Sequence, residues 1–370
     1  MRDIKYLVLS DIHLGHKNNK TIDIVNNLLH YFKVNDKLFK KLDILFLAGD
    51  VFDRLLSTNS EEYITAVKWL SYVVSYCKTN DIKLRLLEGT PSHDWKQSKA
   101  VTTVIEQLGV NIDFKYIETV SIEKMTDLGI NILYIPDEAN HHASDTLDEV
   151  SELLIKNNLS QVDIAIMHGQ FNYQLPILLE SSHDENSYLD IVKYYISIGH
   201  IHIPSVFKRI LAEGSFDRLT HGEEEDKGGM LITIGDEPRF EFIVNKRAKI
   251  FKTLDVKNLD NALEYVVRKL KDIPSYSFIR ILAERSSDMK SLTKELQERY
   301  KNYTFKIEYN DDDDVAVESM VIDNSVNIET FEITSSNIEK LIVKEMEKHK
   351  LTSRETDIGV AELRDIMTIM

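Results

Sequence analysis

The chain has 370 residues, 43% hydrophobic and 29% charged; that is enough for one large core and one or two smaller ones, because single cores stop growing near ~250–300 residues. Thirteen glycines and six prolines leave little composition for long disordered linkers. A formal net charge of −16 excludes a protein that coats nucleic acid with its own basic surface, but not a nuclease, whose site carboxylates are offset by bound cations and whose partner can carry the basic track.

The first strand is predicted over Tyr6–Ser10, followed by a helical pattern over Ile22–Phe32, a strand over Ile44–Ala48, a helix over Glu61–Lys78 and a strand over Leu84–Leu87. Two further apolar runs of strand length lie at Ile164–Met167 and Tyr194–Ile198. Their Val, Ile, Leu and Tyr content suits strands buried on both faces, and the alternation with helices predicts an α/β layered sandwich. Cys77, the single cysteine, falls in the second helical pattern and reads as core filling. No run approaches the ~18 apolar residues of a membrane helix, and Lys5–Leu9 enters a strand without a signal-peptide layout. A cytosolic protein without a membrane partner is expected.

Every one of the five runs ends in residue types that bind metals. Asp11-Ile12-His13 follows the first, Gly49-Asp50-Val51-Phe52-Asp53 the second, Gly89-Thr90-Pro91-Ser92-His93-Asp94 the third, His168-Gly169 the fourth and Gly199-His200-Ile201-His202 the fifth. Sites in α/β sheets form at the carboxyl ends of strands, so these residues are expected to converge in one cleft. Carboxylate and imidazole donors without thiolates suit Mn²⁺, with Mg²⁺ the other candidate. Two such ions clamp a phosphate and need about six to eight ligands, one of them a shared carboxylate.

Beyond residue 228, period-two alternation over Met230–Ile234, Phe240–Val244 and Ile250–Leu254 reads as a β-meander closing the large domain. A unit with a different pattern follows: helix Asn261–Leu270, strand Ser277–Ala283, helix Met289–Tyr300 and strand Thr304–Tyr309. The run Asp311–Asp314 reads as a solvated loop. Near the end, Ile338, Leu341, Ile342 and Met346, then Leu363, Ile366, Met367 and Met370, form apolar stripes on two short helices. Ser336 or Asn337 can cap the first and Thr356 or Asp357 the second. The stripes either dock a partner or pack on the chain's own core.

The five motifs, in this order, resemble those of the calcineurin-like metallophosphoesterases, D-x-H, G-D-x-x-D, G-N-H-[DE], H-G and G-H-x-H, over Asp11 to His202. Gly214-Ser215-Phe216-Asp217-Arg218 and Gly222-Glu223-Glu224-Glu225-Asp226-Lys227-Gly228 resemble a stretch that follows G-H-x-H in SbcD-type nucleases. The resemblance implies a nuclease domain over 1–250, a small α/β capping domain over 251–325 and a helical segment over 334–370 that grips an SbcC-type coiled-coil ATPase. It implies 3′-to-5′ exonuclease action on duplex DNA ends and endonuclease action on single strands, and leaves a homodimer open. Residue by residue, Asp11, His13 and His202 would hold one ion, His168 and His200 the other, and Asp50 both. His93 would contact the scissile phosphate and protonate the departing oxygen. Asp53 would orient neighbouring groups, contact the cleft or cap a helix. One departure stands out: where the family has Gly-Asn-His, this chain has Gly89-Thr90-Pro91-Ser92-His93. Either Ser92 replaces the asparagine as ligand, or water does, or the second ion is held more weakly. A small-molecule phosphodiesterase and a non-catalytic DNA-end scaffold are the alternative functions.

Overall fold

The computed structural model describes residues 2–309 except 138–141, 260, 276, 285 and 286. The Asp311–Asp314 run, the end of the 251–325 unit, and the 334–370 segment with both stripes lie outside the described residues.

Four parallel strands come first, β1 (Ile4–Leu9), β2 (Ile44–Ala48), β3 (Lys83–Leu87) and β4 (Phe114–Ile117), with helices such as Thr21–Val34 and Glu61–Asn80 between them. A second sheet begins with β5 (Ser121–Met125) antiparallel to β6 (Ile130–Ile135), and continues in parallel through β7 (Ile164–His168) and β8 (Ile196–Gly199). β9 (Ser205–Phe207) and β10 (Ile210–Ala212) complete it, in the order β5-β6-β7-β8-β10-β9. The chain then returns to the first sheet with β11 (Gly228–Ile234) antiparallel to β1, and with β12 (Arg239–Val244), giving β12-β11-β1-β2-β3-β4.

Side chains alternate across each strand, and this sorts the core into three clusters. Tyr6 and Val8 on β1, and Ile44 and Phe46 on β2, share one buried cluster with Ile132 and Tyr134 on β6 and Ile164 and Ile166 on β7. The intervening Leu7, Leu9, Leu45 and Leu47 pack instead against Ile24, Leu28, Trp69 and Val73 of the two helices. Leu133, Ile135, Ala165 and Met167 do the same against Val150 and Leu154 on the second sheet's other face. Trp69 is fully buried, and its truncation to Ala would cost about 3–5 kcal/mol. Cys77 is buried as well, and burial pushes its thiol up to about 12, which suits packing rather than nucleophilic chemistry.

The expected three-strand meander is corrected. Its first two strands are β11 and β12, but the third, β13 (Phe251–Asp255), leaves the sheet and pairs in parallel with β14 (Phe278–Ala283), which pairs with β15 (Thr304–Tyr309). The helices Ala262–Leu270 and Ser287–Arg299 connect them, and Leu254, Val266, Ile279, Ile281 and Leu296 form this small sheet's own core. Period-two alternation cannot tell which sheet a strand joins; the parallel partner comes later in the chain. Among the described residues no helix is long and apolar enough to cross a membrane.

Candidate metal centre

The loops after β1 and β2 are fastened to each other along their backbones. Ile12 and His13 donate N–H bonds to the Asp50 carbonyl (2.9 and 3.0 Å), Leu14 to Val51 (2.9 Å), and Asp53 to Leu14 (3.0 Å). These bonds sustain left-handed backbone at Asp11 (φ 50°), His13 (φ 53°) and Asp50 (φ 49°), with His200 at φ 94° on the opposite sheet. Such conformations cost on the order of 1–3 kcal/mol per residue and persist where the surroundings enforce them. Gly49 (φ +89°) lies at the junction with the other sheet: a Cβ there would sit 2.2 Å from His168 Nδ1.

Three groups of donors result: Asp11, His13 and His202; His13, Asp50 and His93; and Asp50, His168 and His200, the donor atoms within each lying within 4.8 Å of one another. His13 links the first group to the second, and Asp50 links the second to the third. Its Oδ2 lies 3.8 Å from His13 Nε2 and 2.9 Å from His93 Nδ1, while its Oδ1 lies 3.3 Å from His168 Nε2. Asp11 Oδ1 is 4.0 Å from His13 Nε2 and 3.8 Å from His202 Nε2, and its carboxylate accepts the His200 N–H at 3.0 Å.

The proton positions imposed by the second nitrogen of each ring explain why a cation fits here. His168 Nδ1 bonds the Ala48 carbonyl at 2.7 Å, so it carries the proton and turns the Nε2 lone pair toward Asp50. That fully buried Nε2 makes no hydrogen bond of its own, despite its 3.3 Å approach to the carboxylate. His13 Nδ1 lies 3.2 Å from Asp53, and His202 Nδ1 lies 3.6 Å from Glu223. Their Nε2 atoms face each other across 3.1 Å. A divalent cation there would accept both nitrogens and offset the charge of Asp11 and Asp50 nearby. Burial opposes charge on His168, but Asp50, with Asp11 and Asp137, raises its pKa well above the ordinary value, so without a cation that nitrogen draws a proton, whose place a bound cation would take. Burial likewise opposes the Asp50 charge, yet His168, then His93 and His13, hold that carboxyl well below the usual range.

Asp53 faces His13 Nδ1 at 3.2 Å, while the helix Glu61–Asn80 is capped by Ser60, which accepts the Tyr63 N–H at 3.1 Å. The Ser92 expectation is corrected. Pro91–Asp94 forms one helical turn that directs Ser92 outward, where it is exposed and where its carbonyl accepts the Trp95 indole N–H at 2.7 Å. The same turn sends His93 and Asp94 inward. Thr90, the residue directly after Gly89, faces the centre. Its N–H and hydroxyl reach Asp50 at 2.6 and 3.2 Å, and its hydroxyl lies 3.3 Å from His200 Nδ1. Asp94 accepts N–H bonds from Asp50 (3.1 Å), Phe52 (2.9 Å) and Gly89 (2.8 Å), tying the second and third loops together. Burial, with Asp50 and Glu88 nearby, pushes its carboxyl up to about 7.

Two more participants were not singled out from sequence. Asp137 follows β6, lies 3.5 Å from His200 Nδ1 and accepts the Thr90 hydroxyl at 2.9 Å. Its signal was an apolar run, Ile130–Ile135, ending two residues before an aspartate. Glu223, within the Gly222–Gly228 stretch, is held by buried Lys227 at 2.7 Å, and Lys227 also donates to the His202 carbonyl at 2.8 Å. Burial opposes the Glu223 charge, but His202 and Lys227 keep its carboxyl well below the usual range.

No model of a known protein family and no curated protein matches the chain. One solved crystal structure is 12% identical, covering 65% of this chain and 100% of its own, with a TM-score of 0.40. A second, GAP50, the anchor in the inner membrane complex of Plasmodium, is 12% identical, covering 67% of this chain and 87% of its own, with a TM-score of 0.42.

Proposed function

We propose that this chain is a two-cation phosphodiesterase of calcineurin-like architecture that hydrolyses DNA, the SbcD-type nuclease subunit of an end-processing complex with an SbcC-type coiled-coil ATPase. The observation that carries the reading is Asp50, one carboxylate with an oxygen turned to each of two imidazole groups. When bound, two Mn²⁺ or Mg²⁺ ions would polarise the phosphate and lower the pKa of a water between them. Asp11, His13 and His202 would hold one, His168 and His200 the other, and Asp50 both. The protein's own part is positional: the fastened loops keep the donors in register without reorganisation. With Nδ1 engaged by Asp50, His93 has Nε2 left for a substrate oxygen, and its side chain is 11% exposed at the edge of the cluster. Burial opposes charge on His93, but the Asp50 carboxylate outweighs this and raises its pKa; the role proposed for this histidine is delivery of a proton to the departing oxygen.

DNA as substrate is favoured by the Gly214–Gly228 stretch, which the resemblance ties to nucleases and whose Glu223 and Lys227 brace His202. The small sheet beginning at Phe251 suits the capping domain of the same family. The test is turnover of linear duplex DNA and of a small chromogenic phosphodiester by the full chain with Mn²⁺ or Mg²⁺, with and without the co-expressed ATPase. Expected is cation-dependent DNA cleavage that Asp50→Ala abolishes. Turnover of the small ester alone would indicate a small-molecule phosphodiesterase, and no turnover by a chain that binds two ions would indicate a scaffold.

A further inference from the structure

We propose that the second cation is completed by Asp137, with the Thr90 hydroxyl beside it, so that an anionic oxygen-rich site replaces the amide ligand this sequence lacks. The inference rests on the two-cation reading above. Asp137 obeys the rule the other donors obey: β6 runs parallel to β7, and Asp137 follows the end of β6 as His168 ends β7. Its side chain is 13% exposed, next to His200 at 22%. Asp137 Oδ2 lies 2.9 Å from Thr90 Oγ1 and 3.5 Å from His200 Nδ1. Thr90 Oγ1 lies 3.3 Å from His200 Nδ1 and 3.2 Å from Asp50 Oδ2, and Asp50 Oδ1 lies 3.3 Å from His168 Nε2. Asp137 Oδ2, Thr90 Oγ1 and His200 Nδ1 thus lie 2.9–3.5 Å from one another, a spacing at which they could serve a common cation, and His200 also belongs to the donor group with Asp50 and His168. The independent sign that something belongs among these atoms is His168 Nε2, fully buried, turned toward Asp50 and without a hydrogen bond.

Charge makes the substitution consequential. A neutral amide would leave the second ion with only the shared Asp50 carboxylate, whereas Asp137 adds a negative oxygen and favours a hard cation over a soft one. Of the three alternatives the sequence leaves open at this position, a weakly held second ion is then not the one expected: the two ions should bind with similar affinity.

The experiment is calorimetric Mn²⁺ titration of the full chain, with electron paramagnetic resonance of the bound ions, on the native protein and on Asp137→Asn, Ser92→Ala and Asp50→Ala. Asp137→Asn keeps the shape of the side chain, and an unchanged melting temperature in chelator establishes that it folds. The expected result is one ion weakened at least about tenfold, the other unchanged, and the spin-coupled pair replaced by an isolated Mn²⁺ signal; Ser92→Ala should match the native chain. Two ions at native affinity in Asp137→Asn, or equal weakening of both, would overturn the assignment. If Asp50→Ala also keeps both ions at native affinity, the two-cation reading itself fails; if only Asp137→Asn is silent, the failure is confined to Asp137.

Discussion

The two sheets contribute to the centre in different ways. The first supplies Asp11, His13, Asp50, Thr90 and His93 from loops that bond to one another, three of them in left-handed backbone. The second supplies Asp137, His168, His200 and His202, mostly imidazoles at or just past strand ends. Both carboxylates of the donor groups, Asp11 and Asp50, come from the first sheet, while the second contributes imidazoles to those groups, with Asp137 beside His200. β13, β14 and β15 are parallel strands too, yet they end at Asp255, Ala283 and Tyr309 and contribute to none of the three donor groups. Strand–helix–strand order alone does not make a site. The difference is a set of enforced, otherwise unfavourable loop conformations facing a second sheet.

The sharpest way to break this asymmetry is to remove the shared carboxylate. Asp50→Ala should lose both ions and all detectable turnover, whereas His168→Ala, on the second sheet, should lose only one ion. Stoichiometry by metal analysis after gel filtration distinguishes them; single-ion loss in both variants would mean that Asp50 does not bridge. His93→Ala should come next, with a turnover loss of about 10²–10⁴ and two ions retained, since its proposed task is proton delivery. Loss of an ion in that variant would make His93 a ligand, as its place in a group with His13 and Asp50 also permits.

The same asymmetry decided what the sequence could reveal. All five strand runs became strands, and Asp11, His13, Asp50, His93, His168, His200 and His202 at their ends fall into the donor groups, because ligand type and strand end are both local signals. Ser92 was misread because spacing was counted back from His93, and a helical turn at Pro91 absorbed two residues that a loop count could not. Asp137 was passed over because β6 follows the short, polar-rich β4 and β5 and its apolar run was not read as a strand, and because the aspartate stands two residues beyond it. Glu223 and Lys227 lay in a quoted stretch, but their contact with His202 joins chain positions more than twenty residues apart, and no periodicity encodes it.

Asp53→Ala sharpens the comparison on a finer scale. The Asp53 carboxylate faces His13 Nδ1 at 3.2 Å and belongs to none of the donor groups. Partners that orient a ligand ring are worth about 10–100-fold in metal affinity. The first ion should weaken by that factor while the second is unchanged, as read by two-site calorimetry; a change in both would place Asp53 in the shared scaffold.

The smallest effect lies where the two-sheet body meets the small sheet. The His221 ring stands 5.0 Å from that of Phe251, and its buried Nδ1 has no hydrogen-bond partner. Burial, then Arg280 and Lys306, lowers its pKa to about 4 against the opposing pull of Glu308. The ordinary histidine value is ~6.5, so the folded chain favours the neutral ring. Its stabilising share is present above pH ~6.5 and is lost as the pH falls toward about 4, because the unfolded chain takes up the proton first. Discounted for partial exposure, the loss between pH 7 and pH 5 is about 1 kcal/mol, or roughly 2–4 °C in melting temperature. Carboxylates across the molecule also respond to acid, so the measurement is a difference: His221→Phe should reduce the native chain's pH 7-to-5 drop by that amount while leaving metal stoichiometry at pH 7 intact. An unchanged drop would mean that this junction does not carry the acid sensitivity.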